Sequence, residues 1–338
     1  MIRFGIVGCG NISASHAEAI RLIKGAELVA CCDSNSEKAR QFANQQQCLF
    51  FTDYQNMLEQ GEIDAVIIAT PHYLHSEMTI QAFESGKHVL CEKPMAISIE
   101  EAKLVLAKRA AYKNLHYAVC YQNRFNPSYM KMKTMIDENH FGKLRGVKCE
   151  LTWHRDGAYY DAAVWKGTIK EEGGGVLINQ AIHSLDAITW MIGCPQKLKG
   201  KVMTSLLEDV IEVEDAAMAT AVLSENIPLL IYASNNYSHD PSPTITFDFE
   251  QVQVVLTTNQ LVVNGHVTPL ATTENNKAAK DYWGNGHIRL IRAFVNQLEG
   301  KEDPCIDFLA GTDALDSLKI VCSIYESDRL NDWVFLNK

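Results

Sequence analysis

The chain has 338 residues, 47% hydrophobic and 21% charged, ordinary values for a globular protein and length enough for two domains with separate cores. A net charge of −10 with no Lys/Arg run argues against a nucleic-acid surface. Ten cysteines show no C-x-x-C pair and no Cys/His cluster at zinc spacing, so no metal is expected, and no apolar run reaches the roughly 18 residues of a membrane span.

Ile2, Phe4, Ile6 and Val7 read as a buried strand, broken by Gly8-Cys9-Gly10. Ser13–Ile20 then reads as a helix. Strand, glycine turn and helix in that order form a dinucleotide phosphate site: Gly8 permits the turn, Gly10 lets backbone approach a pyrophosphate, and the helix start offers free N–H groups and a positive dipole end. Asn11 and Ile12 belong to the same loop. Ser13 stands where the third glycine of the fingerprint would be, and a glycine turn alone also serves as a plain structural turn. The next strand, Leu28–Cys32, ends on Asp33, near the roughly 20-residue spacing of the carboxylate that binds the adenosine ribose. A carboxylate there accepts from ribose hydroxyls and repels a 2′-phosphate, favouring NAD over NADP; Ser34 and Asn35 leave some room for a phosphate.

Glu37–Gln47 and Tyr54–Gln60 read as helices around a short strand, Cys48–Phe51. Ala65–Ala69 is a continuous apolar run, the pattern of a parallel strand buried on both faces. A helix over Glu77–Ser85 ends at Gly86, and strands His88–Cys91 and Leu115–Cys120 flank an apolar helical pattern from Ile99 to Ala110. Six strands with crossover helices predict a doubly wound parallel sheet, whose ligands bind at the carboxyl ends of its strands. The segments there are Gly8–Ile12, Asp33, Thr70–His75, Glu92–Pro94 and Tyr121–Asn126. They supply the expected cofactor contacts: Gly8, Gly10, Asn11, Ile12, Asp33, Thr70, Pro71, His72, His75, Glu92, Lys93 and Gln122.

From about residue 122 the texture changes. After a helix over Pro127–Glu138 come strand-like runs at Leu144–Trp153, Leu198–Leu207, Asp215–Leu223, Pro228–Tyr237, Thr244–Phe249, Val252–Thr257 and Gln260–Val263. Short turns join them, predicting a mostly antiparallel sheet with one face to be covered by helices or another subunit. Helices marked by Ile288–Leu298 and Ala314–Tyr325 close the chain. The expected division is a nucleotide-binding domain over residues 1–121 and a substrate-binding and oligomerisation domain over 122–338, with the closing helices free to pack back on the first.

Two stretches carry chemistry. Lys93 follows the fifth strand directly, where it would sit beside a nicotinamide. Partial burial and the positive cofactor would lower its pKa and fit it to exchange a proton with a substrate hydroxyl. The second is Glu171–Asp186. Read as a helix from about Val176, it places Asn179, His183, Asp186 and Trp190 on one stripe, with three glycines before it. His183 titrates nearest neutral pH, and Asp186 one turn on is placed to fix its tautomer. A solvated lysine and a polar helix face remain the plain structural alternatives for these stretches.

Taken together, these residues resemble the Gfo/Idh/MocA family of NAD(P)-dependent oxidoreductases, named for glucose–fructose oxidoreductase and inositol dehydrogenase. The matching stretches are Gly8–Ile12, Thr70–Glu77, His88–Pro94, Asn123–Pro127 and Glu172–Asp186, and the likeness runs from about Ile2 to Ser327. The resemblance implies an α/β fold: an N-terminal Rossmann domain and a C-terminal α+β domain with a large, mostly antiparallel open sheet, through which homodimers or homotetramers form. It implies that Lys93 joins the proton transfer and holds substrate, and that His183 is the catalytic acid/base. Asn179 stands where an Asp is common and His72 where an Asn is frequent.

The expected function is that of a cytoplasmic, NAD-preferring dehydrogenase oxidising a hydroxyl of a sugar, cyclic polyol or sugar derivative. Expected substrate contacts are Lys93, Arg124, His154, Arg155, Tyr160, Trp165, Asn179 and His183, with Tyr159 nearby. Alternatives are an NAD-dependent glycoside hydrolase and a non-catalytic cofactor-sensing regulator.

Overall fold

The structure, a computed structural model, describes residues 1–271 and 284–336. Its first six strands are β1 (Ile2–Val7), β2 (Ala26–Cys32), β3 (Leu49–Phe51), β4 (Ala65–Ile68), β5 (His88–Cys91) and β6 (Tyr117–Val119). They form one sheet in the order β3-β2-β1-β4-β5-β6, every pair parallel. Crossovers run through α1 (Asn11–Arg21), α2 (Ser36–Gln46), α3 (Tyr54–Gln60), α4 (His75–Glu84) and α5 (Ile99–Ala111). All four residues of β4 are buried, as a strand covered on both faces requires.

Local chemistry sets the helix starts. The Asn35 side chain accepts from the Glu37 and Lys38 amides, Asp53 from the Asn56 amide, and Ser98 from the Glu101 amide. α1 differs, beginning at Gly10 with no side-chain cap. Gly8 has φ +91°, and a Cβ there would lie 2.4 Å from the Ala69 carbonyl oxygen, so only glycine lets β1 turn against the end of β4.

The second half adds α6 (Pro127–Asp137), β7 (Leu144–Thr152), two short helices α7 (Gly157–Asp161) and α8 (Ile169–Glu172), and α9 (Ile182–Ile192). Then follow β8 (Lys197–Met203), β9 (Ala216–Val222), β10 (Pro228–Ser234), β11 (Thr244–Phe249), β12 (Gln253–Leu256), β13 (Leu261–Val263) and β14 (His266–Val267). α10 (Gly286–Leu298), α11 (Ala314–Leu330) and β15 (Val334–Phe335) complete the described elements. Nine strands make one sheet in the order β14-β13-β12-β11-β7-β10-β9-β8-β15, antiparallel except where β10 runs parallel to β7. Burial alternates along these strands except at one end of each. Val147, Cys149 and Leu151 of β7, Ala217, Ala219 and Ala221 of β9, and Leu229, Ile231 and Ala233 of β10 are buried. Met218 and Leu230 lie exposed on the opposite face. The inner face packs under α9 and α11 in one large core that reaches across to β4, β5 and β6.

α10 instead covers the other face of the first sheet. Ile288, Leu290, Ile291, Phe294 and Val295 join Phe4, Ile6, Ala17, Ile20, Leu90 and Ala118 in a second core.

One local departure matters. The expected helix from Val176 begins as a π-turn over Leu177–Ala181 before continuing as α9. A π-turn holds an extra residue and breaks the regular hydrogen-bond ladder. The three glycines before it are pressed on protein. A Cβ at Gly173 would meet Ile97 at 2.6 Å, at Gly174 the Tyr325 hydroxyl at 2.0 Å, and at Gly175 the Glu214 carbonyl at 1.9 Å.

Candidate active site

The glycine turn, the ends of β2, β4, β5 and β6, and the π-turn converge along one edge of the first sheet. Asp33 ends β2. Its Oδ2 accepts from the Cys9 amide in the glycine turn at 2.9 Å, and its Oδ1 from the Asn35 amide at 2.9 Å. The carboxylate is therefore fixed beside the phosphate loop. Ser13, in the third-glycine position, is buried and donates its hydroxyl to the Gly10 carbonyl. An uncapped helix start, a glycine loop and a strand-end carboxylate fit the pyrophosphate and ribose of a dinucleotide. Gly8, Gly10, Asn11 and Ile12 lie in this loop and Thr70 and Pro71 at the end of β4. Gln122 opens a buried turn after β6, its carbonyl against Gly286.

Lys93, just past β5, donates from Nζ to the Asn179 backbone carbonyl at 2.7 Å and to Asn179 Oδ1 at 3.2 Å. Asn179 sits within the π-turn, where a broken ladder makes a backbone carbonyl available. Burial lowers the Lys93 pKa against the pull of Glu92 and Glu172. His183 follows one turn after Asn179, edge-on to Tyr121 at 5.9 Å between ring centroids. Burial and then the charge of Lys93 push its pKa down to about 3, so the imidazole is neutral at physiological pH. Its Nδ1 is buried with no hydrogen-bond partner among the described residues. His72 is buried, Nδ1 bonded at 2.9 Å to the Glu172 carbonyl and its ring 4.8 Å from Trp165. Burial, then Lys93, holds it well below the usual histidine range.

Several expected contacts lie elsewhere. His75 is clamped, Nδ1 2.7 Å from the Pro94 carbonyl and Nε2 2.8 Å from that of Thr70. Burial lowers its pKa, so the neutral ring donates to one of these carbonyls and lies between the loops after β4 and β5. Glu92 turns inward: Oε1 is 2.7 Å from His16 Nε2 and Oε2 accepts from the Lys93 amide. Burial would raise its pKa, but the bond to His16 and the nearby Lys93 charge hold it well below the carboxylate range. With Cys120, His16 and Glu92 bring ligand atoms within 4.8 Å of one another, the one such trio among the described residues. Hydrogen bonds from His16 and Cys120 to Glu92 account for the arrangement.

Arg124, an expected substrate contact, is spent on protein carboxylates. It is buried, with Nε and Nη2 bonding Asp186 at 2.8 and 2.6 Å and Nη1 bonding Asp313 at 2.6 Å. Asp186 is thereby committed to Arg124 rather than to the His183 tautomer, although both lie on α9 beyond the π-turn. Tyr160 is a core residue packed with Leu207, Ile211 and Val213, its hydroxyl accepting from Asn235 at 3.1 Å. His154 is exposed, with Nδ1 against the Tyr237 carbonyl, and Arg155 pairs with Asp240 while lying over the rings of Trp153 and Tyr159. Lys93, Asn179, His183, His72 and Trp165 remain together.

Sequence reasoning missed Glu172 as a site residue. Its side chain is buried, accepting from the Gly167 amide at 2.5 Å and from Asn179 Nδ2. Its neighbour Glu171 is half-exposed, and no spacing rule distinguishes the two.

Comparison with known proteins agrees with this fold. Residues 2–121 match the family model described as oxidoreductase family, NAD-binding Rossmann fold, and residues 129–262 match the GFO/IDH/MocA C-terminal domain. The chain is 34% identical over 148 residues to glucose-6-phosphate 3-dehydrogenase of Bacillus subtilis, covering 44% of this chain and 41% of that protein. It is 30% identical over 194 residues to scyllo-inositol 2-dehydrogenase (NAD(+)) of the same organism, covering 57% and 54%. These matches span less than two thirds of the relatives' lengths. The WlbA dehydrogenase of Bordetella pertussis, solved with NADH and UDP-GlcNAcA, superposes with a TM-score of 0.85 at 29% identity, covering 100% of this chain and 99% of that one.

Proposed function

The chain belongs to the Gfo/Idh/MocA oxidoreductase family, with that family's NAD-binding Rossmann domain, and we propose that it is an NAD-preferring dehydrogenase oxidising a hydroxyl of a sugar, cyclic polyol or sugar derivative. The observation that carries this reading is the Lys93 ammonium on the strand edge, bonded to Asn179 of the second half, with His183 one turn beyond.

A bound nicotinamide supplies the acceptor for the carbinol hydride. The chain supplies position and proton handling. Lys93, its pKa lowered by burial, is the better proton acceptor of the pair and takes the hydroxyl proton as the carbonyl forms. His183, held neutral, donates its ring N–H to the oxygen of the same hydroxyl and orients it. The resulting ammonium then holds the carbonyl product. Trp165 offers a ring face suited to the apolar side of a sugar. The relatives named for a sugar phosphate, an inositol and a complex with a nucleotide sugar acid support a carbohydrate hydroxyl as the site of oxidation.

The exposed face of the nine-stranded sheet, with Met218 and Leu230 about half accessible, suits a second copy of the chain, as a homodimer or homotetramer. The ten cysteines are free thiols, which suits the reducing cytoplasm. Among the described residues no helix is long and apolar enough to cross a membrane.

The test is Lys93→Met. The variant is expected to bind NADH, by fluorescence, as wild type does, yet to form no NADH from NAD in a screen of inositols, aldoses, sugar phosphates, sugar acids and nucleotide sugars. Turnover equal to wild type would remove Lys93 from the chemistry.

A further inference from the structure

Position 179 lies directly against the Lys93 ammonium, and its side chain is an uncharged amide. Glu92, the carboxylate next to Lys93 in sequence, is spent on His16. The other buried carboxylate here is Glu172, one hydrogen bond further out. We propose that Glu172 is the positioning carboxylate of the site, orienting Asn179 toward Lys93 and supplying the second negative charge that the ammonium feels. This rests on the dehydrogenase reading above.

The hydrogen-bond roles are consistent with an ionised Glu172. One oxygen accepts from the Gly167 amide and the other from Asn179 Nδ2, so the group acts as an acceptor at both oxygens. Because Asn179 donates through Nδ2 to Glu172, its Oδ1 is left to accept from Lys93. Reversing that amide would set its NH2 against the ammonium, two donors facing each other. Glu172 thus selects the amide orientation that holds Lys93 in place. The Glu172 backbone carbonyl also takes the His72 Nδ1, so one residue fixes groups on both sides of the lysine.

Other charges around the pair act through the same space. Lys166, Lys93, Tyr159 and Tyr160 face Glu172. Glu92, Glu172, Cys120, His72, His75 and His183 surround Lys93. Burial raises the Glu172 pKa to about 7, opposed by the Gly167 and Asn179 bonds and by Lys93, so its charge responds to pH in the physiological range.

The experiment reads the Lys93 pKa directly. Full-length protein with saturating NADH is pulsed with acetic anhydride across pH 6 to 10, and Lys93 acylation is quantified by mass spectrometry. Glu172→Gln removes a charge that favours the ammonium. The Lys93 midpoint is expected to fall by about one unit, so that labelling above pH 7, where Glu172 is charged, and below the variant's midpoint becomes up to about tenfold faster. Asn179→Asp adds a charge and should raise the midpoint by a similar amount. The double variant, with the charge moved from 172 to 179, should return toward wild type, which a purely structural role for Glu172 would not produce. NADH affinity and circular dichroism report folding, and if Glu172→Gln fails to fold, the direction seen in Asn179→Asp decides. A midpoint unmoved in the folded variants overturns the proposal. That result leaves the dehydrogenase reading standing if Lys93→Met is inactive. An active Lys93→Met defeats that reading whatever the labelling shows.

Discussion

Replacing Asp186 with Asn separates two roles for this carboxylate. In the structure it accepts two hydrogen bonds from Arg124, at 2.8 and 2.6 Å, with both side chains almost wholly inaccessible. Burial pushes its pKa up to about 6 against the pull of Arg124, which leaves it ionised at neutral pH. Removing one partner of a buried pair leaves the other charge uncompensated and costs about 3–5 kcal/mol. Here the guanidinium keeps Asp313, 44% exposed and therefore screened, and the ring faces of Tyr121 and Trp190 at 5.8 and 5.4 Å. Asn also retains one acceptor. The loss should therefore fall at the low end, about 3 kcal/mol. With a urea m-value of about 3 kcal/mol/M for a chain of this size, the unfolding midpoint drops by about 1 M. Tryptophan fluorescence is the natural probe, since Trp190 lies against the guanidinium. Turnover of the folded variant should stay within a few-fold of wild type at low temperature. A midpoint hardly changed, together with a collapse in turnover of about a hundredfold or more, would refute this reasoning and return Asp186 to the service of His183.

Two further outcomes follow from the same structure. His72, His183 and His287 are held neutral by burial, with His183 at about 3 and His287 at about 4. An unfolded histidine titrates near 6.5, so the unfolded chain binds more protons below that pH. Stability is complete above 6.5 and falls as pH drops toward 4, by up to about 1.4 kcal/mol per unit per histidine. Urea midpoints from pH 7 to 5 check it, and a flat profile would sink it. Asp33→Ala should lower the preference for NAD over NADP by about tenfold or more in kcat/KM, because a ribose acceptor and a barrier to 2′-phosphate vanish together. An unchanged ratio would mean that Asp33 serves only the Cys9 and Asn35 amides.

Much of the scaffold was legible in the sequence because its signals are local. β4 is an uninterrupted apolar run, since both its faces are covered. α3 is bounded by an Asp cap and Gly61. Ends were less sharp: Leu115–Cys120 shrinks to Tyr117–Val119, and Leu198–Leu207 becomes Lys197–Met203. The site was legible only in part. Lys93 announces itself by following a strand, but its meeting with Asn179 across 86 residues has no local signature. The stripe from Asn179 to Trp190 assumed an unbroken α-helix, and the π-turn at Leu177–Ala181 invalidates that phase. The Arg124–Asp186 pair was hidden for a related reason. An arginine beside an expected binding turn looks like a ligand contact until the partner 62 residues away is known. Glu172 was hidden by Glu171, since only burial distinguishes two adjacent carboxylates.

The placement of α10 has a consequence for synthesis. The six strands of the nucleotide-binding sheet are complete by Val119, but Phe4, Ile6, Leu90 and Ala118 are covered on one side by a helix that starts at Gly286. At roughly 5–20 residues per second, the ribosome needs on the order of ten seconds or more to deliver that helix. During that interval the part of this face that α10 covers, beside α1 and α2, stays bare, so a fragment ending near residue 121 should be sticky on its own. The cell must shelter this half-finished layer until the chain is nearly through.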